Sequence, residues 1–130
     1  MEIDRAYGFS APPEVVFGNL TDPARLDRWL PPGVQGEPAG PGEVRLRAGG
    51  VQVRCLVTAE ADDMRLRWRL ADRDDVQGTV QAVDGPAGGA ELPVRVSAPD
   101  AAIPAERAEQ LLAAAAERLQ RDVEDNLSAG

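Results

Sequence analysis

Apolar and charged residues alternate along several short segments in the middle of the chain. In residues 64–70 the even positions are apolar, and arginine fills the three positions between them. A similar alternation recurs in residues 43–48, 51–59 and 92–98. Gly49-Gly50, between two of these segments, favours a tight hairpin. Successive side chains of a strand point to opposite faces, so the pattern predicts an antiparallel sheet with one apolar and one charged face.

Further strand and helix signals surround these segments. Residues 2–10 alternate in the same way, and residues 34–38 and 76–83 also have the composition of strands. Two short helices are predicted after the first strand, because Pro12-Pro13 and Asp22-Pro23 are typical helix starts. In the second of these starts, the Asp side chain can cap free N–H groups.

The last segment predicts one long helix, from about residue 104 to residue 127. It is rich in Ala, Leu, Glu, Arg and Gln, which are strong helix formers. Glu117 with Arg121, and Arg118 with Asp122, have the i, i+4 spacing of ion pairs on an exposed helix face. An apolar stripe recurs at spacings of three and four, through Ala108, Leu112, Ala115, Leu119 and Val123.

The order of these elements is one strand, two short helices, six strands and one long helix. We expect the long helix to cover the apolar face of the sheet, because that face must be removed from water. The predicted fold class is therefore α+β, in the helix-grip architecture. It consists of a curved antiparallel sheet of about seven strands, two short helices after strand 1, and a long C-terminal helix packed across the sheet. Residues 1–130 are expected to form a single domain.

The composition of the chain limits the catalytic mechanisms and metal sites that it can support. With 43% hydrophobic and 28% charged residues, the chain is typical of globular proteins. Cys55 is the only cysteine and lies on the apolar parity of its segment, so we expect a buried and unreactive thiol. Histidine is absent, which removes Ser-His and Cys-His mechanisms and the commonest transition-metal ligand. We expect neither a metal site nor a cofactor.

The charge balance and the apolar runs bear on partners and location. A formal net charge of -8 disfavours nucleic acid, since phosphate backbones repel an acidic chain. The first residues have neither the basic nor the apolar region of a signal peptide. No apolar run approaches the ~20 residues of a membrane helix. We expect a cytoplasmic protein without a membrane span.

The opening of the chain resembles the SRPBCC (START-like) superfamily. Residues 9–17 (FSAPPEVVF), 20–23 (LTDP) and 26–30 (LDRWL) are similar to the first strand end and the two helices of that superfamily. Residues 64–70 (MRLRWRL) are similar to a central strand of its polyketide cyclase/dehydrase and activator-of-Hsp90-homologue-like branches. The chain departs from many members of the second branch, since alanines at 113–116 replace an aromatic-rich terminal helix.

The resemblance implies a deep pocket between the sheet and the last helix, which the superfamily uses for lipids, steroids, polyketides and other apolar molecules. The leading hypothesis is a protein that binds or carries a small apolar or amphipathic molecule there, rather than an enzyme. Trp29 and Trp68 could each offer a broad wall and an indole N–H to such a molecule. The opposing interpretation is that they are core residues that need no ligand, and for Trp29 we expect that it anchors the two short helices against the edge of the sheet. We expect the cavity to be lined by Tyr7, Phe9, Leu46, Val53, Cys55, Leu66, Trp68, Val80, Val94, Leu112, Ala115, Ala116 and Leu119.

One alternative is an enzyme of the polyketide cyclase or dehydrase type acting on an aromatic or polyketide substrate. Arg5 and Tyr7 would then carry the polar roles, because both share the parity of apolar positions on the first strand. Arg5 could meet a carboxylate, phenolate or enolate of the substrate. The opposing interpretations are that Arg5 reaches water at the strand end and that Tyr7 is an ordinary core residue.

A second alternative is a protein-interaction module of the co-chaperone type. Seven arginines fall on the charged parity of the strands and form what we call the outer arginine face. Such a face could bind an acidic partner or the acidic helix of a second copy in a homodimer. The default interpretation is cross-strand pairing with carboxylates. The outer arginine face consists of Arg45, Arg47, Arg54, Arg65, Arg67, Arg69 and Arg95.

Overall fold

The predicted order of elements is present in the computed structural model, which describes residues 1–100 and 103–129. The α-helices are α1 (Pro13–Thr21), α2 (Leu26–Trp29) and α3 (Ala105–Ala129), and single 3₁₀ turns cover Pro23–Arg25 and Ala61–Asp63. The strands are β1 (Glu2–Phe9), β2 (Val34–Gly40), β3 (Glu43–Ala48), β4 (Val51–Glu60), β5 (Arg65–Leu70), β6 (Arg73–Gln81), β7 (Val83–Asp84) and β8 (Ala90–Ser97). The α+β helix-grip fold is confirmed.

All strands belong to one curved antiparallel sheet. From edge to edge the order is β1-β8-β6-β5-β4-β3-β2, and β7 pairs with β8 beside this path. The strand predicted over 76–83 is in fact two strands. Between them the Ala82 N–H donates to the Met64 carbonyl at 2.9 Å, and Val83 then pairs with Glu91 of β8. The described chain therefore has eight strands where the sequence predicts about seven.

The two faces of the sheet are those that the alternation predicts. Leu66, Cys55 and Val94 are buried on the concave face, whereas Arg67 and Arg69 are exposed on the convex face. The tight hairpin at Gly49-Gly50 is also confirmed. Both glycines have positive φ, +55° and +83°, as a type I′ turn requires.

The long helix α3 covers part of the concave face through its apolar stripe. Leu119 and Val123 are almost fully buried, and they meet Val16 of α1 and Phe9 of β1 in one core cluster. We call α1 and α2, with the turn between them, the helical pair. The second helical start in this pair is built as predicted, since Asp22 Oδ1 accepts a hydrogen bond from the Ala24 N–H at 3.0 Å. No helix in the described part of the chain has the length and apolar character needed to cross a bilayer.

A buried polar network joins the helical pair to α3, and the sequence pattern does not predict it. Asp122 is 4% exposed and accepts hydrogen bonds from Asn19 Nδ2 at 3.1 Å and Arg25 Nη1 at 2.9 Å. Asn126 closes the ring by accepting from Arg25 Nη2 and donating to Asn19 Oδ1, both at 3.0 Å. The four side chains of this network therefore satisfy one another, as buried polar groups require.

The network corrects one expectation about the exposed side of α3. Arg118 and Asp122 do not form the i, i+4 pair, because Asp122 lies on the buried side and is taken by residues of the helical pair. The Arg118 guanidinium instead reaches the Asp27 carbonyl at 3.3 Å. The other expected pair is present, with Arg121 Nη2 at 3.7 Å from Glu117 Oε1.

The free edge of β2 is protected by local contacts. The Val34 N–H donates to the Pro31 carbonyl at 3.0 Å, and the Gly36 N–H donates to Asp27 Oδ1 at 2.9 Å. Pro38 has no N–H to offer. An edge with satisfied or missing donors cannot recruit another strand readily. A Cβ at Gly36 would lie 2.8 Å from side-chain carbons of Leu26 and Leu30, so glycine allows α2 to pack directly on this strand.

Candidate functional site

The residues predicted to line a cavity fall into two groups in the structure. One group is buried in the closed core. In particular, Phe9, Leu66 and Leu119 belong to one cluster with Leu92 of β8, which the predicted lining does not include. Leu92 shares the parity of Val94, so the alternation of β8 already marks it as inward. The buried members of the predicted lining are Phe9, Cys55, Leu66, Val94 and Leu119.

The second group remains partly exposed, although its members lie on the concave face or on the covering helix. On the sheet side this group includes Val53 of β4 and Trp68 of β5. On the helix side it includes two neighbouring alanines of α3 that are small enough to leave room. Its members are Tyr7, Leu46, Val53, Trp68, Val80, Leu112, Ala115 and Ala116. We call these eight residues the half-buried apolar layer.

Trp68 is the largest side chain of this layer, and its position depends on the neighbouring strand. Trp68 pairs with Gly78 of β6 across the ladder. A Cβ at Gly78 would lie 2.6 Å from atoms of the indole ring, so the ring lies directly over the glycine. Any side chain larger than glycine at position 78 would displace the ring from the sheet.

Trp29, at the end of α2, packs against the core cluster. Its Nε1 is buried and has no hydrogen-bond partner among the described residues. Buried polar groups are paired in the great majority of cases, so an unpaired buried donor is an unusual feature.

The two polar residues of β1 lie near the start of α3. The Arg5 Nη2 atom is 2.5 Å from Glu109 Oε1, and the Arg5 side chain is 51% exposed. Arg5 is therefore partly exposed, and its guanidinium forms an ion pair with the Glu109 carboxylate of α3. Tyr7 is partly buried, and burial raises the pKa of its phenol, with a smaller lowering by Arg5 and a smaller raising by Glu109.

Cys55 has the character that its position on the apolar parity predicts. The side chain is buried on the concave face of β4. Burial raises the pKa of its thiol to about 11, because the thiolate would lose its hydration. A thiol that stays protonated is a poor nucleophile. Within residues 1–100 and 103–129, no cluster of three His, Cys, Asp or Glu side chains is arranged to hold a metal ion.

The outer arginine face is mostly paired with carboxylates, in agreement with the default interpretation. Arg45 pairs with Glu37 at 2.6 Å, Arg54 with Glu43 at 3.1 Å, and Arg95 with Asp4 at 3.5 Å. Arg65 and Arg67 share Glu60, and the hydrogen bond from Arg67 lowers the pKa of that carboxyl. Among the described residues, no carboxylate lies within 4.0 Å of Arg47 or Arg69.

Comparison with known proteins agrees with this architecture. A family model described as polyketide cyclase / dehydrase and lipid transport matches residues 3–129. The chain belongs to this family, and so to the SRPBCC superfamily that its opening resembles. No curated protein matches the sequence.

Solved structures share the fold over nearly the whole chain. A protein from Chromobacterium violaceum is 26% identical, with a TM-score of 0.73 over 95% of this chain and 97% of that one. An AHSA1-like protein from Aeromonas hydrophila is 18% identical, with a TM-score of 0.72 over 97% and 94% of the two chains. A START superfamily protein from Mycobacterium smegmatis is 15% identical, with a TM-score of 0.70 over 95% and 97%. The last two likenesses concern the fold alone.

Proposed function

We propose that this protein binds a small apolar or amphipathic molecule between the concave face of the sheet and α3. The observation that carries the proposal is the half-buried apolar layer. Trp68 and Val53 on the sheet, and Leu112 on the helix, keep apolar surface in contact with water. A ligand that covers this surface would gain roughly 25 cal/mol for each Å² removed from water.

The small side chains of α3 support the same location. Ala115 lies on the apolar stripe between Leu112 and Leu119 and is partly buried, so we expect a larger side chain there to compete with the ligand for room. Ala113, two positions earlier, is exposed on another side of the helix. The alanine run therefore has one face toward the layer and one face toward water, which provides a matched pair of positions for a test.

The buried indole N–H of Trp29 supports an amphipathic ligand rather than a purely apolar one. A ligand carbonyl or hydroxyl oxygen near this donor would supply the partner that the described residues do not. Few polar groups in a mainly apolar site fix the orientation of a ligand and leave its affinity to burial. The family description, which names lipid transport, is consistent with this class of ligand.

The geometry supports binding better than it supports the two alternatives. For catalysis of the cyclase type, Arg5 would have to act on a substrate, but Glu109 holds its guanidinium. For docking of an acidic partner, the outer arginine face would need free cations, but five of its seven members have carboxylates of the same chain within 4.0 Å.

The test is a titration with N-phenyl-1-naphthylamine, an uncharged fluorophore that brightens in apolar surroundings. We expect saturable binding that Ala115→Leu abolishes and that Ala113→Leu leaves unchanged, because only the first substitution fills the layer. Native mass spectrometry of freshly purified protein would identify a co-purifying molecule directly. Absence of saturable binding, or an equal loss in the two leucine variants, would overturn the proposal.

A further inference from the structure

A concave region lies beside the edge strand β2 and is lined largely by polar groups. It has a volume of about 550 Å³. Arg45 and Arg47 project into it from β3, and Arg118 reaches it from α3. Arg45 and Arg47 lie on the face of β3 opposite Leu46, and no residue of the half-buried apolar layer lines the groove, so the two regions are separate. The groove is lined by Asp27, Pro31, Gly33, Val34, Gln35, Gly36, Glu37, Arg45, Arg47 and Arg118.

Both carboxylates in the groove are already engaged. Asp27 Oδ1 accepts the hydrogen bond from the Gly36 N–H at 2.9 Å, and Glu37 Oε1 lies 2.6 Å from Arg45 Nη1. Neither carboxylate lies within 4.0 Å of the guanidinium of Arg47 or of Arg118. Arg118 instead donates a hydrogen bond to the backbone carbonyl of Asp27, which carries no charge.

Two arginines without carboxylates in one groove stand out in this protein. The chain has 22 acidic residues against 14 arginines and a net charge of -8. Most of its arginines have a carboxylate within 4.0 Å, even on the exposed sheet face. The excess of carboxylates therefore favours an acidic partner for each arginine. In the described part of the chain, Arg47 and Arg118 line one groove and neither has such a partner within 4.0 Å.

We propose that this groove binds the phosphate group of a small molecule. A planar guanidinium offers two parallel N–H donors to phosphate oxygens. Two guanidinium groups carry two positive charges, so a phosphate dianion balances them better than a ligand with one carboxylate does. The volume falls within the usual range of ligand pockets, so it accommodates more than a bare ion. The phosphate could be a free anion or the head group of an amphipathic ligand, and both would make the same contacts.

The test compares inorganic phosphate with octyl phosphate by calorimetry and by NMR of the arginine side-chain N–H groups. We expect the signals of Arg47 and Arg118 to shift with both ligands. Arg47→Gln and Arg118→Gln should each weaken binding about tenfold or more, as for loss of a charged hydrogen-bond partner. Added sodium chloride should weaken binding further, because the contacts are partly exposed.

Arg69→Gln is the matched control, since Arg69 is a sheet arginine without a carboxylate within 4.0 Å that does not line the groove. Circular dichroism shows whether each variant is folded. If octyl phosphate binds more tightly than inorganic phosphate, the ligand is the head group of an amphipathic molecule. If the two bind with equal affinity, the ligand is free phosphate. If neither ligand binds at millimolar concentration, or if Arg69→Gln weakens binding as much as Arg47→Gln, the proposal is wrong. The neutral fluorophore titration is unaffected by either result, so the two proposals fail independently.

Discussion

Arg25, in the turn before α2, donates a hydrogen bond to the buried carboxylate of Asp122 on α3 at 2.9 Å. The two residues are 97 positions apart in the chain. Asn19 and Asn126 hydrogen-bond to the two members of this ion pair and to each other, so the contact joins the helical pair to the covering helix. The position of α3 over the sheet depends on this polar contact as well as on its apolar stripe.

Removing the carboxylate should destabilise the fold strongly. Asp122→Ala removes the buried carboxylate that accepts from Arg25 and Asn19, and loss of such a charged hydrogen-bond partner costs about 1.5–3 kcal/mol. The cost stays below that of a fully buried pair, because Arg25 is 23% exposed and keeps its hydrogen bond to Asn126. Asp125→Ala, at an exposed position of the same helix, should change the free energy of unfolding by no more than about 0.5 kcal/mol. Urea unfolding of both variants provides the measurement, and equal stabilities would show that the network contributes nothing.

Gly78 should be intolerant of even one added methyl group. A Cβ there lies 2.6 Å from the indole of Trp68, so Gly78→Ala must displace the ring, at a cost of about 1–3 kcal/mol. Gly18→Ala in α1 meets nothing within 4 Å and should be neutral or stabilising by up to about 1 kcal/mol. Thermal unfolding with tryptophan emission as the probe separates the two cases. A change of emission is expected only for Gly78→Ala.

The single tyrosine reports the charges at the start of α3. Arg5 lowers the pKa of the Tyr7 phenol and Glu109 raises it, against the larger raising by burial. Arg5→Gln should therefore raise this pKa and Glu109→Gln should lower it, as measured by absorbance during an alkaline titration. Since both partners are partly exposed, the pair itself should contribute only about 0.2–1 kcal/mol in a double-mutant cycle. Shifts in the same direction for both variants would contradict this arrangement.

Cys55 should make the fold sensitive to alkaline pH. Burial raises the pKa of the thiol from its ordinary 9.0 to about 11, so between these values the folded protein keeps a proton that the unfolded chain loses. Stability is then unaffected below about pH 9 and falls as pH rises toward 11, by at most about 2–3 kcal/mol from this group. Cys55→Ala should show a shallower fall in urea unfolding across that range. Identical slopes in both proteins would rule out a buried thiol as the cause.

The helices and strands of this fold could be predicted from local sequence patterns, because the spacing of apolar residues indicates which face of each element is buried. The alternation in residues 64–70 correctly places Leu66 inward and Arg67 outward, and the stripe of α3 correctly contains Leu119. Gly49-Gly50 could be assigned to a tight hairpin because few other residues adopt positive φ at two successive positions.

The site could be predicted only in part, for a physical reason. Periodicity marks Phe9 and Trp68 alike as inward, but it does not say that one would be buried in a closed core while the other remains partly exposed. That difference depends on how closely α3 approaches each strand, and no local pattern encodes a distance between distant elements.

By itself, the sequence determined the faces of the strands and of α3, the turn at Gly49-Gly50, and membership of a fold whose order of elements is distinctive. Only the tertiary structure decided which charges meet. Asp122 is paired across 97 residues with Arg25 rather than with its helical neighbour Arg118, and Arg118 lines the same groove as Arg47. Charge pairing depends on contacts between elements far apart in the chain, because a side chain binds whatever the packing brings within a few ångströms.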